Sequence, residues 1–303
     1  MFKFIVASEK PLIIPVFVPH LGCPNICMFC NQKIISGVEI PTLGDIEKNV
    51  KEYLSFSKKR EKTEISFYGG SFTAIPFETM MSYIAKGAEF IESGLIDSLR
   101  CSTRPDTISE KIADTLKKNH FETVELGVQT MSGRLLEKMK RGHTVEDVFK
   151  ATQILKKYKL KTVLQFMTGY PDETKDDIAA TLNSLKELSP DFLRIYPFVP
   201  LEGSGIFKEI ENHGKTLVPA NEVIERTVSV FIEAMKQNIP VIRIGLPIVE
   251  NSVSPYPHNL LQVVVSRAIE RLAENGVQLF DIPKEWLSCF RVASKKYKTI
   301  SLA

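Results

Sequence analysis

Pro11-Leu-Ile-Ile-Pro-Val-Phe-Val-Pro-His20, followed at once by Leu21-Gly-Cys-Pro-Asn-Ile-Cys-Met-Phe-Cys30, sets an apolar run against a loop crowded with cysteine. The apolar part, Pro11 to Val18, is too short to span a bilayer. It also lacks the small-residue cleavage site of a secretory signal. It reads instead as a strand buried on both faces, the kind found in parallel sheets.

The same pattern recurs down the chain. Glu64–Tyr68, Ser98–Thr103, Thr123–Val128, Thr162–Phe166 and Phe192–Phe198 are further short runs rich in apolar and β-branched residues. Between them lie segments of helical period, such as Ile46, Val50, Tyr53 and Leu54, then Val148, Thr152 and Leu155, then Ile178, Leu182 and Leu185. Strand and helix in alternation imply parallel βαβ units. The expected fold is α/β: a partial (β/α)6 TIM-like barrel over roughly Pro11 to Phe198, with a mixed C-terminal extension. Residues 1–204 form the core barrel with its cysteine loop, and residues 205–303 form a helix and strand extension packed on it. In the latter part Leu201–Lys215, with three glycines, reads as a loop. Ala220–Gln237 and Leu260–Asn275 read as helices and Pro240–Gly245 as one more strand. Leu246–His258, broken by Pro247, Pro255 and Pro257, reads as irregular.

Composition narrows the function classes. The 303 residues are 44% hydrophobic, enough for a large core, and 39 basic against 36 acidic residues leave a net charge of +3. That is far from the basic footprint of a dedicated nucleic-acid binder, although a local patch can still hold RNA. The clusters Lys58-Lys59-Arg60-Lys62 and Lys156-Lys157-Lys159-Lys161 read as solvated faces. No run reaches membrane length, so a cytoplasmic enzyme without a membrane partner is expected. Five cysteines, three of them between Cys23 and Cys30, read in a reducing compartment as metal-binding or catalytic.

The chemistry-bearing motifs all fall at the carboxyl ends of strands, where parallel α/β folds bind ligands. Cys23, Cys27 and Cys30, spaced C-x3-C-x2-C, put three thiolates on one loop. Thiolates favour iron–sulfur clusters, and three of them leave one iron of a four-iron cluster open. A zinc site completed by His20, in a non-catalytic zinc-binding module, is the alternative. Gly69 and Gly70, before Ser71, let the backbone approach a ligand that a Cβ would block, or simply make a tight turn. Ser102, Thr103 and Arg104 can donate to a carboxylate or a ribose. Asp106 reads as part of a capped turn and Cys101 as an inert core thiol. Gln129 and Gln165 end the fourth and fifth strands, and Arg141 stands near them at a helix-to-loop junction. His143 reads as structural because Thr144 looks like a helix N-cap. Tyr196 either meets a ligand in the barrel mouth or packs on its rim.

With Phe29 before its last cysteine, the motif resembles the signature of the radical SAM superfamily. The resemblance implies a 4Fe-4S cluster whose open iron holds S-adenosyl-L-methionine, and an external one-electron donor such as a flavodoxin or ferredoxin. It places Phe29 beside the adenine, with plain core packing as the alternative. It sets Gly69-Gly70-Ser71 where the superfamily has a Gly-Gly-Glu-like turn, so Ser71 is a departure. It makes Arg141 a partner for the methionine carboxylate, and it puts Gln165 where porphyrin-related members often carry an acidic residue. Thr103-Arg-Pro-Asp106, Val124–Gln129, Lys138–Thr144, Gly169-Tyr-Pro171 and Ile195-Tyr-Pro197 further resemble the radical SAM half of the Elongator catalytic subunit, over roughly Val16 to Ser204. That family acts on the wobble uridine of tRNA with acetyl-CoA. Its members space the second cysteine further away. About 60 residues follow Pro240, too few for an acetyltransferase domain, and no basic N-terminal extension is seen. Wobble-uridine carboxymethylation by this chain alone is therefore not expected. A tRNA base is the leading substrate reading, and a small molecule, as in coproporphyrinogen dehydrogenases, is the alternative.

Overall fold

Along Leu12–Val18 (β1) the side chains of Ile14, Val16 and Val18 are buried, while Phe17 between them is 43% exposed. Successive residues of a strand face opposite ways, so one face of β1 lies under helices and the other looks into a concavity. The structure, a computed structural model, describes residues 2–5, 11–19, 21–23, 27–31, 39–56, 62–246, 254–280 and 282–296. After β1 come α1 (Leu43–Phe56), β2 (Thr63–Gly69), α2 (Phe77–Glu92), β3 (Ser98–Thr103), α3 (Glu110–Lys118) and β4 (Phe121–Gln129). Then follow α4 (Gly133–Lys138), α5 (Val145–Lys157), β5 (Lys161–Thr168), α6 (Lys175–Leu188) and β6 (Phe192–Pro197). The remainder comprises α7 (Gly205–His213), α8 (Ala220–Lys236), β7 (Val241–Ile244), α9 (Leu260–Glu274) and α10 (Leu287–Lys296).

Phe2–Lys3 and Leu279–Phe280 form a separate two-stranded parallel sheet, while each of these seven strands pairs in parallel with the next, giving a seven-stranded sheet in the order β1 to β7. This is the expected partial barrel, a curled half-barrel with helices outside. Its seventh strand is the one the sequence placed in the extension: Leu193 of β6 pairs with Val241 of β7. The main core lies between the sheet's convex face and the helices, where Ile65, Leu99, Val124, Leu164 and Leu193 meet Ile84, Leu116, Leu155 and Leu185. Helix starts are fixed by hydroxyls. Ser109, Ser132, Thr144, Thr174 and Ser204 each accept a bond from the backbone N–H three residues on. Thr144 with Asp147, and Thr174 with Asp177, form full capping boxes.

The expected loop at Leu201–Lys215 is instead largely helix α7. Its glycines are boundary signals: Ser204 is the N-cap, Gly214 is a left-handed C-cap, and Ile206 is buried between them. Of Leu246–His258, residues 254–258 are irregular and 247–253 lie outside the described residues. Lys156 donates to the Leu188 carbonyl and Lys157 pairs with Glu110, while Lys58–Arg60 lie outside the described residues. No helix among the described residues is long and apolar enough to cross a membrane.

The turn after β5 shows how tightly the helices meet the strand ends. Gly169 has φ +82°, and a Cβ there would lie 2.5 Å from a methyl of Val223 on α8. Gly169→Ala should therefore cost about 1–3 kcal/mol through overpacking, with a left-handed penalty added. A lowered Tm checks this, and Val223→Ala in the same chain should recover the packing part alone.

Candidate active site at the strand carboxyl ends

The cysteine loop is seated by glycines. Gly22 has φ +73°, and a Cβ there would collide with the Ser71 carbonyl and lie 2.8 Å from the Ile75 nitrogen. Reciprocally, a Cβ on Gly70 would collide with the Leu21 carbonyl, and Gly69 sits at φ +105° with its Cβ position 3.0 Å from the Val18 carbonyl. The loop after β1 and the turn after β2 thus touch backbone to backbone, which only glycine permits. The loop's far end is pinned too: Met28 N–H donates to the Met139 carbonyl (3.0 Å), and Ile206 N–H donates to the Met28 carbonyl (2.7 Å). None of the three cysteines is in a disulfide; Cys27 is buried, and Cys23 and Cys30 are half-buried. Cys23 Sγ lies 3.8 Å from Ser71 Oγ. Arg141 Nη1 donates to Cys27 Sγ at 3.4 Å. Among the described residues no three His, Cys, Asp or Glu side chains close on a single ion position. His20, the expected zinc partner, lies outside the described residues, as do residues 24–26. Phe29 packs, half-buried, on a small apolar cluster of Leu135, Met139, Tyr170, Phe198 and Ile206.

Around this loop the structure gathers most of the expected residues. Gly127 lies where a Cβ would come 2.7 Å from Arg141 Nη2 and 3.1 Å from Gln129 Nε2. The missing side chain makes room for both, and the Gly127 carbonyl accepts from Arg141 Nη2 at 2.7 Å. Gln129 has φ +72°, a left-handed backbone at the register shift between β4 and β5. Such a conformation in a non-glycine residue tends to mark a functional position. Ser102 is half-buried at the end of β3. The Thr103 hydroxyl is taken up by Thr73 (2.6 Å) and Thr107 (3.0 Å). Arg104 forks onto Asp106 at 2.9 and 2.8 Å, while its Nη1 is buried without a hydrogen-bond partner. Asp106 therefore clamps Arg104, and the cap of α3 is Ser109. The Cys101 thiol is fully buried, and burial pushes its pKa up. His143 is buried with no partner on either ring nitrogen, and burial, reinforced by Arg141, pushes its pKa down to about 3.

One feature of the concave face was missed in the sequence. Fully buried Glu125 accepts from Tyr68 Oη (3.0 Å), Arg100 Nη1 (3.0 Å), Arg194 Nη2 (2.9 Å) and Gln165 Nε2 (2.8 Å). Arg100 also pairs with Glu64 at 2.7 Å, and Arg194 Nη1 donates to Tyr196 Oη at 3.3 Å. Burial, then the Glu125 charge, raises the Tyr68 phenol to about 12, so it stays a donor. Above this floor Phe17 faces Tyr68 with ring centroids 6.3 Å apart, and the Arg194 guanidinium lies 5.9 Å from the Tyr68 ring centre. The signal was present as polar residues at every second position: Glu64, Ser66, Tyr68; Ser98, Arg100, Ser102; Arg194, Tyr196.

Comparison with known proteins agrees with this arrangement. The Radical SAM superfamily model matches residues 17–185. A tRNA uridine(34) acetyltransferase of Methanocaldococcus jannaschii is 30% identical over 65% of this chain and 44% of its own length. A tRNA-2-methylthio-N(6)-dimethylallyladenosine synthase of Treponema denticola is 29% identical over 68% of this chain and 48% of its own. The chain thus spans less than half the length of either relative. In fold it is similar to the archaeal Methanocaldococcus infernus Elp3 with an N-terminal deletion, with TM-score 0.68 and 21% identity, covering 89% of this chain and 64% of that one.

Two measurements probe the site's electrostatics. Glu125→Ala leaves two buried guanidiniums without their shared carboxylate and should lower unfolding stability by about 3–5 kcal/mol in a urea titration; Glu125→Gln should lose less. His143 takes a proton in the unfolded chain below the ordinary imidazole value of 6.5 but stays neutral in the fold down to about 3. Its contribution is therefore present above pH 6.5 and is lost as pH falls through that window. His143→Phe should flatten the acid limb of stability against pH by up to about 1.4 kcal/mol per unit.

Proposed function

The chain belongs to the radical SAM superfamily, and we propose that it is an enzyme of that superfamily acting on a nucleobase of tRNA, with Cys23, Cys27 and Cys30 holding a 4Fe-4S cluster. The observation that carries the reading is the glycine-seated cysteine loop, three thiols with a buried guanidinium donating to one of them. The donor set fits the group. Thiolates are the preferred ligands of iron–sulfur clusters, and an anionic cluster suits a pocket supplied with the Arg141 and Arg104 cations. A bound cluster and S-adenosyl-L-methionine together supply a one-electron cleavage that yields an adenosyl radical.

The chain's own residues then have defined tasks. The turn Gly69-Gly70-Ser71 is assigned to the methionine amino group. Arg141, braced by the Gly127 carbonyl, offers a cation to the carboxylate. Ser102, Gln129 and Gln165 offer polar groups to the ribose, and Phe29 lines the adenine side. Thr103 supports this rim through Thr73. The Phe17 and Tyr68 rings, with Arg194 over Tyr68, form a stacking platform of the kind that holds an unpaired base. Two relatives named for tRNA substrates favour this over a small molecule. The electron comes from an external flavodoxin or ferredoxin, and a cytoplasmic setting suits such a donor.

Anaerobically purified protein should carry about four irons and four sulfides per chain, lost in Cys27→Ala and kept in Cys101→Ala. A full cluster in Cys27→Ala would sink the ligand assignment. Arg141→Ala should keep its iron while binding S-adenosyl-L-methionine about ten- to a hundred-fold more weakly by calorimetry. For the substrate, tRNA should suppress uncoupled cleavage of S-adenosyl-L-methionine by the reduced enzyme, and Phe17→Ala should abolish the suppression. Suppression by coproporphyrinogen but not by tRNA would favour the small-molecule reading.

A further inference from the structure

Arg104 is the bulkiest fully buried side chain among the described residues, at 1% exposure. Its Nε and Nη2 are locked on the two Asp106 oxygens, a bidentate fork that fixes the guanidinium plane. Nη1 is buried with no hydrogen-bond partner. Guanidinium nitrogens can only donate, so an unmet one inside a protein awaits an acceptor.

Its surroundings narrow what that acceptor is. The preceding residue, Thr103, is bonded through its hydroxyl to Thr73 at 2.6 Å, in the turn that opens with Ser71. Ser71 Oγ is 3.8 Å from Cys23 Sγ, and a Cβ on Gly22 would strike that same turn. The Arg104 backbone is held from the other side, its carbonyl accepting from Thr107 Oγ1 at 2.8 Å. Burial opposes the Arg104 cation, the Asp106 bonds and charge favour it, and Cys27 and Cys23 favour it to a lesser degree. Arg141, the other buried guanidinium of the site, already spends two donors on the Gly127 carbonyl and reaches Cys27. A half-neutralised cation with one donor to spare, linked through Thr103 and Thr73 to the turn that Cys23 contacts, is placed to serve sulfur.

We propose that Arg104, clamped by Asp106, is a positioning residue that donates from Nη1 to a sulfur of the iron–sulfur cluster and raises the cluster's reduction potential. This rests on the reading of Cys23, Cys27 and Cys30 as cluster ligands. Reduction adds a negative charge to the cluster. A cationic donor at sulfur therefore stabilises the reduced form more than the oxidised one, and hydrogen bonds to sulfur are among the levers that set such potentials.

The test is a redox titration of the reconstituted full chain, followed by electron paramagnetic resonance, for wild type, Arg104→Gln and Arg104→Lys. Wild-type protein without iron would fail the cluster reading itself, independently of Arg104. With wild-type iron in place, Arg104→Gln should hold its cluster and shift the oxidised-to-reduced ratio at fixed potential tenfold or more toward oxidised, a fall of about 59 mV for one electron. Arg104→Lys should fall less, and affinity for S-adenosyl-L-methionine should stay within about twofold of wild type in both. An unmoved potential overturns the proposal. If it comes with a tenfold loss of S-adenosyl-L-methionine affinity, the donor belongs to the methionine carboxylate instead. Should Arg104→Gln fail to hold iron, Asp106→Asn carries the test, since it keeps the arginine and loosens its clamp: a lowered potential with full iron supports the proposal, and an unchanged or raised one overturns it.

Discussion

A single carboxylate holds the concave face of this sheet together. Glu125 is fully buried on β4 and accepts from side chains of β2, β3, β5 and β6. A charge taken from water is tolerated only when paired and fully bonded. Both arginines on Glu125 have a further partner, Glu64 for Arg100 and Tyr196 for Arg194, so the floor is a connected network rather than an isolated pair. Five neighbouring strands must curve toward a common point for those bonds to form. The interior of a closed TIM barrel is filled by layers of branched apolar side chains. Here the corresponding space has a polar floor.

The rim depends on that floor and on three glycines. Tyr68 and Gln165 are oriented by their bonds to Glu125. Gly22 and Gly70 let the cysteine loop rest on the next strand's turn, and Gly127 lets Arg141 and Gln129 share one position at the end of β4. The contacts of Gly22 with Ser71 and of Gly70 with Leu21 join separate strand-end loops. The site is therefore a product of the sheet's order: consecutive parallel strands bring consecutive loops side by side, and glycine removes the bulk that would hold them apart.

Much of this was legible beforehand because strand and helix leave different periods. Val148, Thr152 and Leu155 announced α5, and the Thr144 cap announced its start. The cysteine spacing announced the loop. What escaped has physical reasons. Gly203, Gly205 and Gly214 read as loop formers, but Ser204 and Gly214 are the ends of α7, and a short helix between its caps looks like a loop by composition. β7 stood apart because a long helical stretch, α7 and α8, precedes it, yet its pairing with β6 extends the same sheet. The Glu125 network escaped because the strands were judged on apolar content, which the convex face supplies. The polar residues alternating with it belong to the opposite face, and their convergence depends on curvature that no single strand reveals. The left-handed backbone of Gln129 has no sequence mark at all, since glutamine rarely adopts it.

The overall charge of +3 says almost nothing about the site, because the site's charges are not on the surface. Arg104 and Arg141 are buried, and each is held by an acceptor within its own chain, Asp106 for one and the Gly127 carbonyl for the other. His143 beside them is kept neutral by burial and by the Arg141 cation, so it adds no further charge near neutral pH. Cation strength at the cysteine loop is thus set by how firmly each guanidinium is braced, not by how many there are. A carbonyl brace leaves Arg141 its full charge, whereas a carboxylate brace offsets part of Arg104's and leaves it chiefly a donor. The two arginines, alike in sequence terms, are in this way left with different charge.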